Sequence, residues 1–466
     1  MNEAVGLIGR CLLAVFLVAM LGASETIAAT FVVDTTQDSV DALPGDGVCA
    51  NANAACSLRA ATQEANALAG SDEIVLGAGT FALTIPGVLE DAGATGDLDI
   101  VSDIGISGSG EQGTVIDGGA LDRVLDVHAS GVLRLTQLGV RNGFQTKFSA
   151  SDEAEVSGGG VLVRDGGSAT MSHVTVRNNA SKRDGAGISL YGTLQADGLR
   201  FVQNTADQFS SGGALFIGST ATLLDIDRCE FVGNSAVEGG AIYSVGDNPT
   251  IQITHCLMTG NNANSGAAIF ANLGTPHWLF RNVTISGNHA VAAGGAIFAD
   301  GANQLRFEHA TITANSADGP NGGGAIFDVR GSASAGFIAI ELINSVVWGN
   351  TQPSGNECNT VFSDVIVSSG ATLHAPANAC RMRAGAGDIA TNDAGLGTLS
   401  DNGGFTRTHA LATTSVAVDS AQTANCAATD QRGQARPADG NGDGQALCDI
   451  GAFELASDRI FEAGFE

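Results

Sequence analysis

The tetrapeptide GGAI at residues 239–242 returns as GGAI at 294–297 and again at 323–326. Its variants GGGV (158–161), GAGI (185–188), GGAL (212–215) and GAAI (266–269) keep the same beat. The third residues of these tetrads are Gly160, Gly187, Ala214, Ala241, Ala268, Ala296 and Ala325, spaced by 27, 27, 27, 27, 28 and 29 residues. A second marker travels with the first: Asn204, Asn234, Asn261, Asn288 and Asn315, in contexts such as FVGNSA, MTGNNA, ISGNHA and ITANSA. Two independent markers on one period define a structural repeat.

Each period holds short β-branched or aromatic runs broken by glycine, with no helical pattern long enough for a crossover. Leucine-rich and helical repeats are thereby excluded. The pattern predicts an all-β, right-handed single-stranded parallel β-helix, each coil adding one rung of about 4.8 Å. Glycine pairs permit tight corners, and stacked asparagines can bond amide to amide up the column. Leu199/Phe201, Cys229/Phe231, Cys256/Met258, Val283/Ile285 and Ala310/Ile312 are expected to point inward. Cys229 and Cys256 then share a column, as a disulfide or as two stacked free thiols. The neighbouring outward column, Arg228/Glu230, His255/Leu257, Asn282/Thr284 and His309/Thr311 with Asn344 beyond, is the most polar. Arg228, Glu230, His255, Asn282 and His309 are accordingly the expected binding face. Either Phe216, Tyr243, Phe270, Phe298 and Phe327 or the residue before each must also face outward, unless a corner buries both.

Composition narrows the partners. Among 466 residues there are 64 glycines but only 8 prolines, and 44% are hydrophobic, enough for a core. Only two lysines, Lys147 and Lys182, stand among 49 acidic residues, and the formal net charge is −28. Such a surface repels nucleic acid, anionic lipid and anionic polysaccharide unless divalent cations intervene. Arg10 precedes the apolar run CLLAVFLVAMLGA (11–23), with small residues suited to cleavage near Ala28 or Ala29. The run is short for a membrane span and reads as an export signal, so no stable span is expected after cleavage. Without Cys11, eight cysteines remain: Cys49, Cys56, Cys229, Cys256, Cys358, Cys380, Cys426 and Cys448. In an oxidising compartment their even number suggests disulfides, and proximity favours 49–56, 358–380 and 426–448. Zinc is the rival, but no C-x2-C pair exists.

The first rung of a β-helix exposes unpaired backbone and an apolar cross-section, which repeat proteins cover with caps. CSLRAATQEAN (56–66) supplies a capping helix, with Ser57 as N-cap, Gly70 as stop, and Leu58, Ala61, Ala65 and Leu68 on one face. This segment resembles the N-terminal region of bacterial exported proteins named for a CSLREA motif. DNGGFTRTHAL (401–411), DQRGQARP (430–437) and CDIGAFE (448–454) resemble the choice-of-anchor Q segment. The coils between resemble repeats of polymorphic outer-membrane proteins. Ala60 stands where the CSLREA family has Glu, the third position of a Ser-x-x-Glu capping box, so that Glu reads as structural. The resemblance implies an exported or surface-associated β-helix and implies no enzyme. RIFEAGFE (459–466) resembles a short tail of exported Gram-negative proteins, with a frayed acidic terminus as the plain alternative. The expected organisation is signal 1–29, cap 30–70, coils 71–350, anchor-like segment 351–456 and tail 457–466.

Chemistry is sparse. A pectate-type lyase needs calcium-binding carboxylates and a basic residue, which two lysines on an acidic surface hardly supply. Asp225 and Asp227 (LLDIDRC) share a strand face and are the best hydrolase pair, but no NTD…DD signature accompanies them. Two acids on a solvated face are usually only solvated. His255 and His309 lie two rungs apart, about 9.6 Å, too far to share a metal. Asp439, Asn441 and Asp443 with Gly444 resemble half of an EF-hand loop, but Ile450 replaces the closing Glu. Calcium there is the one cofactor the sequence offers, against an ordinary acidic turn. The expectation is an exported, monomeric, non-catalytic surface or secreted protein that contacts glycan or a host matrix protein. A carbohydrate-active lyase or hydrolase is the alternative.

Overall fold

The computed structural model describes residues 28–146, 156–207, 209–246, 250–272, 277–301, 304–320, 322–329, 340–360, 366–376, 380 and 382–457. The apolar run 11–23, Lys147 and RIFEAGFE lie outside the described residues. The chain is a right-handed parallel β-helix. One coil shows the pattern. The strand Leu215–Ile217 pairs in parallel with Ile242–Val245 of the next coil. The long strand Leu223–Val232 bends at Arg228 and pairs with Thr250–Thr254 before the bend and Leu257–Thr259 after it. Asn234 turns the chain into a short third face, where Ser235 bridges Asn262. Gly239 then closes the coil with φ 62°, and a Cβ on Gly240 would strike the carbonyl of Asn262 in the next coil. The first glycine is the one the corner requires, with φ between 60° and 79° at Gly158, Gly185, Gly212, Gly239, Gly266 and Gly294, while Ala186 and Ala267 stand at the second position.

The interior is filled by the residues expected to fill it. Leu199, Phe201, Cys229, Phe231, Cys256, Met258, Val283, Ile285, Ala310 and Ile312 are all fully buried. Phe201 stacks on Phe231 at 4.7 Å, and Phe280 on Phe307 at 4.7 Å. Leu215, Ile242, Ile269, Ile297 and Ile326 also enter this core. The aromatics that follow them form a separate outer stack, Phe216–Tyr243 at 5.7 Å, Tyr243–Phe270 at 5.2 Å and Phe270–Phe298 at 4.5 Å, which buries its own middle members. The marker asparagines bond up the turn. Asn204 donates to Asn234, Asn234 to Asn261, Asn261 to Asn288, and Asn288 to Asn315, each at 2.9–3.0 Å. Asn179 and Asn350 extend the ladder at its two ends.

Four disulfides form, Cys49–Cys56, Cys229–Cys256, Cys358–Cys380 and Cys426–Cys448, so the stacked pair in the core is a disulfide. Helix α1 (Leu58–Ala67) starts at Ser57, whose hydroxyl accepts from Ala60 N, and it buries Leu58, Ala61 and Ala65. It lies against the strands Ser71–Val75, Leu98–Ile100 and Asp103–Ser107 at the start of the solenoid. Parallel pairing continues past residue 350 through Ile366–Gly370, Leu373–His374 and Ile389–Ala390. No helix among the described residues is long and apolar enough to cross a membrane.

Candidate binding face

The column expected to bind partners is a backbone corner. Arg228, His255, Asn282, His309 and Asn344 adopt φ of 52°, 53°, 54°, 51° and 48°. Left-handed backbone enriches Asn and His, so the column is polar because of its conformation. From His255 onward it is covered by the returning C-terminal segment. Thr429 bonds His255 through its hydroxyl (3.3 Å) and accepts from Asn282 Nδ2 through its carbonyl (2.8 Å). Thr284 donates to Gln431 (2.6 Å), and His409 meets Ser286 (2.9 Å). His309 is fully buried, with Nε2 on Asn425 O (3.0 Å) and Nδ1 accepting from Arg436 (2.9 Å). Burial and the neighbouring Arg436 charge push His309 down to about 3, so it is neutral. Asn282 and His309 therefore do not face outward, which corrects the expectation for them. Arg228 is exposed but paired with Asp197 at 2.6 Å, and Glu230 accepts from Arg200 at 3.1 Å.

The face that remains open is the third one, beside the asparagine ladder. Its outward column pairs rung by rung as Phe144, Ala180, Thr205, Ser235, Asn262, His289, Ser316 and Thr351. Thr205, Asn262 and Thr351 are exposed, and Ser235, His289 and Ser316 are half-buried. Beneath it run the buried alanines Ala206, Ala236, Ala263, Ala290 and Ala317, which hold this short face close to the ladder. From Thr205 to Thr351 the column presents hydroxyl, amide and imidazole groups at one rung apiece, with no carboxylate, Lys or Arg in it. Acids appear only at its border, where Asp318 lies 3.3 Å from His289. The signal was present in the sequence as Asn–polar–Ala at the five turns from Asn204 to Asn315. It is easily missed, because the polar residue changes type from coil to coil.

The column ends, at its N-terminal side, in a cavity of about 560 Å³ lined by Asp117, Ala120, Asn142, Phe144, Asn178 and neighbouring small residues. Asp117 accepts from Arg141 Nε (2.8 Å), Asn142 Nδ2 (3.1 Å) and Gly119 N (3.0 Å). Burial works to raise its pKa, but these donors hold it below the usual carboxylate range, so it is an ionised acceptor.

The other candidates are committed within the fold. Asp227 accepts from Thr254 (2.5 Å) and bonds His255 (2.6 Å). Burial raises its pKa, yet these bonds hold it low, which suits a fixed anion and not a proton donor. Asp225 faces Gln195 and Gln252 on the neighbouring rungs. Asp439, Asn441 and Asp443 each accept amides of their own loop, Asp439 from Gly442 and Gly444, Asn441 from Asp443, and Asp443 from Gln445. Their oxygens order an acidic turn. A further cluster, not foreseen, brings Asp91, Asp99, Asp126 and His128 together with ligand atoms within 4.8 Å. Here the donors are already taken. Asp126 accepts from Arg164 (2.9 and 2.8 Å) and pairs with Arg123 (3.1 Å), while Asp99 bonds His128 (2.7 Å) and Gly93 N (2.7 Å). A cation would have to displace two guanidinium groups, so the cluster fits a buried ion network better than a metal centre.

Residues 138–351 match the family model described as right handed beta helix region. No curated protein matches the chain. Among solved structures, the crystal structure of pectate lyase Pel9A is similar at 13% sequence identity and TM-score 0.37, over 92% of this chain and 96% of that one. A likeness so loose carries no inference about site or activity.

Proposed function

We propose that the protein is an exported, non-catalytic β-helix that holds neutral glycan along the face running from Thr205 to Thr351. One observation carries this: an open column of hydrogen-bonding side chains at rung spacing, without carboxylate, lysine or arginine, on a chain of net charge −28. Hydroxyl, amide and imidazole groups exchange hydrogen bonds with sugar hydroxyls without the desolvation cost of a charge. An extended array multiplies weak contacts along one polymer. The four disulfides and the resemblance of the end segments to exported families support the extracellular setting.

The test is retention of the purified protein on neutral polysaccharides (glucan, mannan, xylan, chitin) and on pectate and alginate, with reducing ends assayed in the same tubes. Neutral polymers should retain the wild type and the acidic ones should not. Asn262→Glu, which places a charge mid-column, should weaken retention at least tenfold. Retention equal in wild type and variant, or release of reducing ends that Asp225→Ala or Asp227→Ala abolishes, sinks the proposal.

A further inference from the structure

The cavity heading the column has features that an open ladder lacks. Phe144, half-buried, occupies the same column as Thr205 and offers a ring where the later rungs offer hydroxyls. Asn142 and Asn178 hold left-handed backbone at φ 54° and 53°, one rung apart, and both line the cavity. Asn142 is fixed in orientation, because its Nδ2 donates to both oxygens of Asp117 at 3.1 Å. Its Oδ1 is thereby left as the atom open to a new donor. Asp117 is in turn clamped by Arg141 and Gly119, so the Asn142 acceptor is preorganised, while the exposed Asn178 amide remains to be ordered on binding.

An aromatic ring beside planar acceptors spaced by about 4.8 Å suits one class of ligand. The apolar C–H face of a pyranose lies on the ring, and hydroxyls two carbons apart reach the successive amides. Each Asp117 oxygen already takes two donors, so Asp117 orients Asn142 instead of meeting the ligand, and it is the overall charge of −28 that disfavours uronic acids. The volume is within the range of small-ligand pockets.

We propose that this cavity binds a neutral sugar unit, the end of the glycan chain whose body lies along Thr205–Thr351. The proposal rests on the glycan reading of that face and adds a subsite with its own specificity. Titration calorimetry with neutral disaccharides and their methyl glycosides tests it, using wild type, Phe144→Ala and Asn178→Gly. Asn178→Gly deletes the amide while keeping a residue content with positive φ, so it tests the site even if Phe144→Ala perturbs folding. At least one neutral disaccharide should bind, and Phe144→Ala should weaken it at least tenfold and Asn178→Gly several-fold. Polymer retention that persists while no disaccharide binds, or disaccharide binding unmoved by both cavity variants, overturns the subsite and leaves the ladder standing. Disaccharide binding that needs Phe144, with polymer retention indifferent to Asn262→Glu, overturns the ladder alone. A uronic acid disaccharide or a short peptide binding more tightly than any neutral sugar overturns the assigned class.

Discussion

At the scale of single residues, stability and legibility meet in the asparagine ladder. Asn261 is fully buried. Its Nδ2 donates to Phe231 O (2.9 Å) and Asn288 Oδ1 (2.9 Å), while its Oδ1 accepts both the backbone N–H (2.9 Å) and the side-chain amide (3.0 Å) of Asn234. Asn261→Leu leaves the backbone N–H and one side-chain N–H of Asn234 without an acceptor, and takes one donor each from Phe231 O and from Asn288 Oδ1, which keeps the backbone N–H of residue 261 (3.0 Å), in a place water does not reach. At roughly 1–3 kcal/mol for each buried group left unsatisfied, partly relieved by relaxation, we expect a loss of about 3 kcal/mol, read by denaturant unfolding. Because only asparagine offers that donor and acceptor pair on so short a stem, the ladder repeats one residue type and stands out in the sequence. The corner column is the opposite case. Arg228, His255, Asn282 and His309 are polar, and a demand for positive φ selects Asn and His in the same way a ligand would. Nothing in the letters separates the two causes. The open column at Thr205, Ser235, Asn262, His289 and Ser316 hides for a further reason: chemical similarity without identity does not look like a repeat.

At the scale of elements, the C-terminal segment is docked by groups whose titrations oppose one another. Burial, with the neighbouring Glu454 charge, raises Asp449 to about 7, and Glu454 is raised by burial too. A released Asp titrates near 3.9. Between those values the docked segment holds protons that the released one has lost, so rising pH loosens it. His309, at about 3, and His409, also lowered by burial, act the other way. Released histidines bind protons up to about 6.5 that the docked ones refuse, so rising pH between about 3 and 6.5 tightens the dock. The wild type therefore shows only a shallow pH dependence from about 4 to 6.5. His309→Gln should expose the acid side, with hydrogen exchange in 396–457 accelerating steadily as pH rises from about 4 to 7, after correction for intrinsic rates. Asp449→Asn should flatten or reverse that slope. Identical profiles in wild type and both variants would remove the electrostatic account of docking. The docking could not be read from the sequence, since it joins residues more than a hundred positions apart, such as His309 and Asn425. The opening helix could be, because its cap and apolar face are local.

At the scale of the molecule, a solenoid is held together by neighbour on neighbour, so what happens at an end should stay near that end. The N-terminal end is closed by α1, and α1 is pinned by Arg59. This side chain is fully buried; it pairs with Asp38 (2.7 Å) and donates to the carbonyls of Gly93 (3.0 Å), Gly96 (2.7 Å) and Asp97 (3.0 Å) on the first coils. Arg59→Ala leaves three carbonyls without these donors and a buried Asp38 that keeps only the amides of Thr84 and Ile85. Removing one partner of a buried ion pair costs about 3–5 kcal/mol. In a globular domain that loss would be shared by the whole cooperative unit. Here it should appear as faster hydrogen exchange confined to residues 30–107, with the strands from Ile188–Leu190 to Ile326–Asp328 unchanged. Opening the cap also bares an apolar cross-section and unpaired strand backbone, a template for a second copy. We therefore expect the wild type to stay monomeric in light scattering, and Arg59→Ala to associate with rising concentration. If exchange instead quickened evenly from end to end, the coils would be melting as one unit, and the cap would matter for total stability and not for the end it covers.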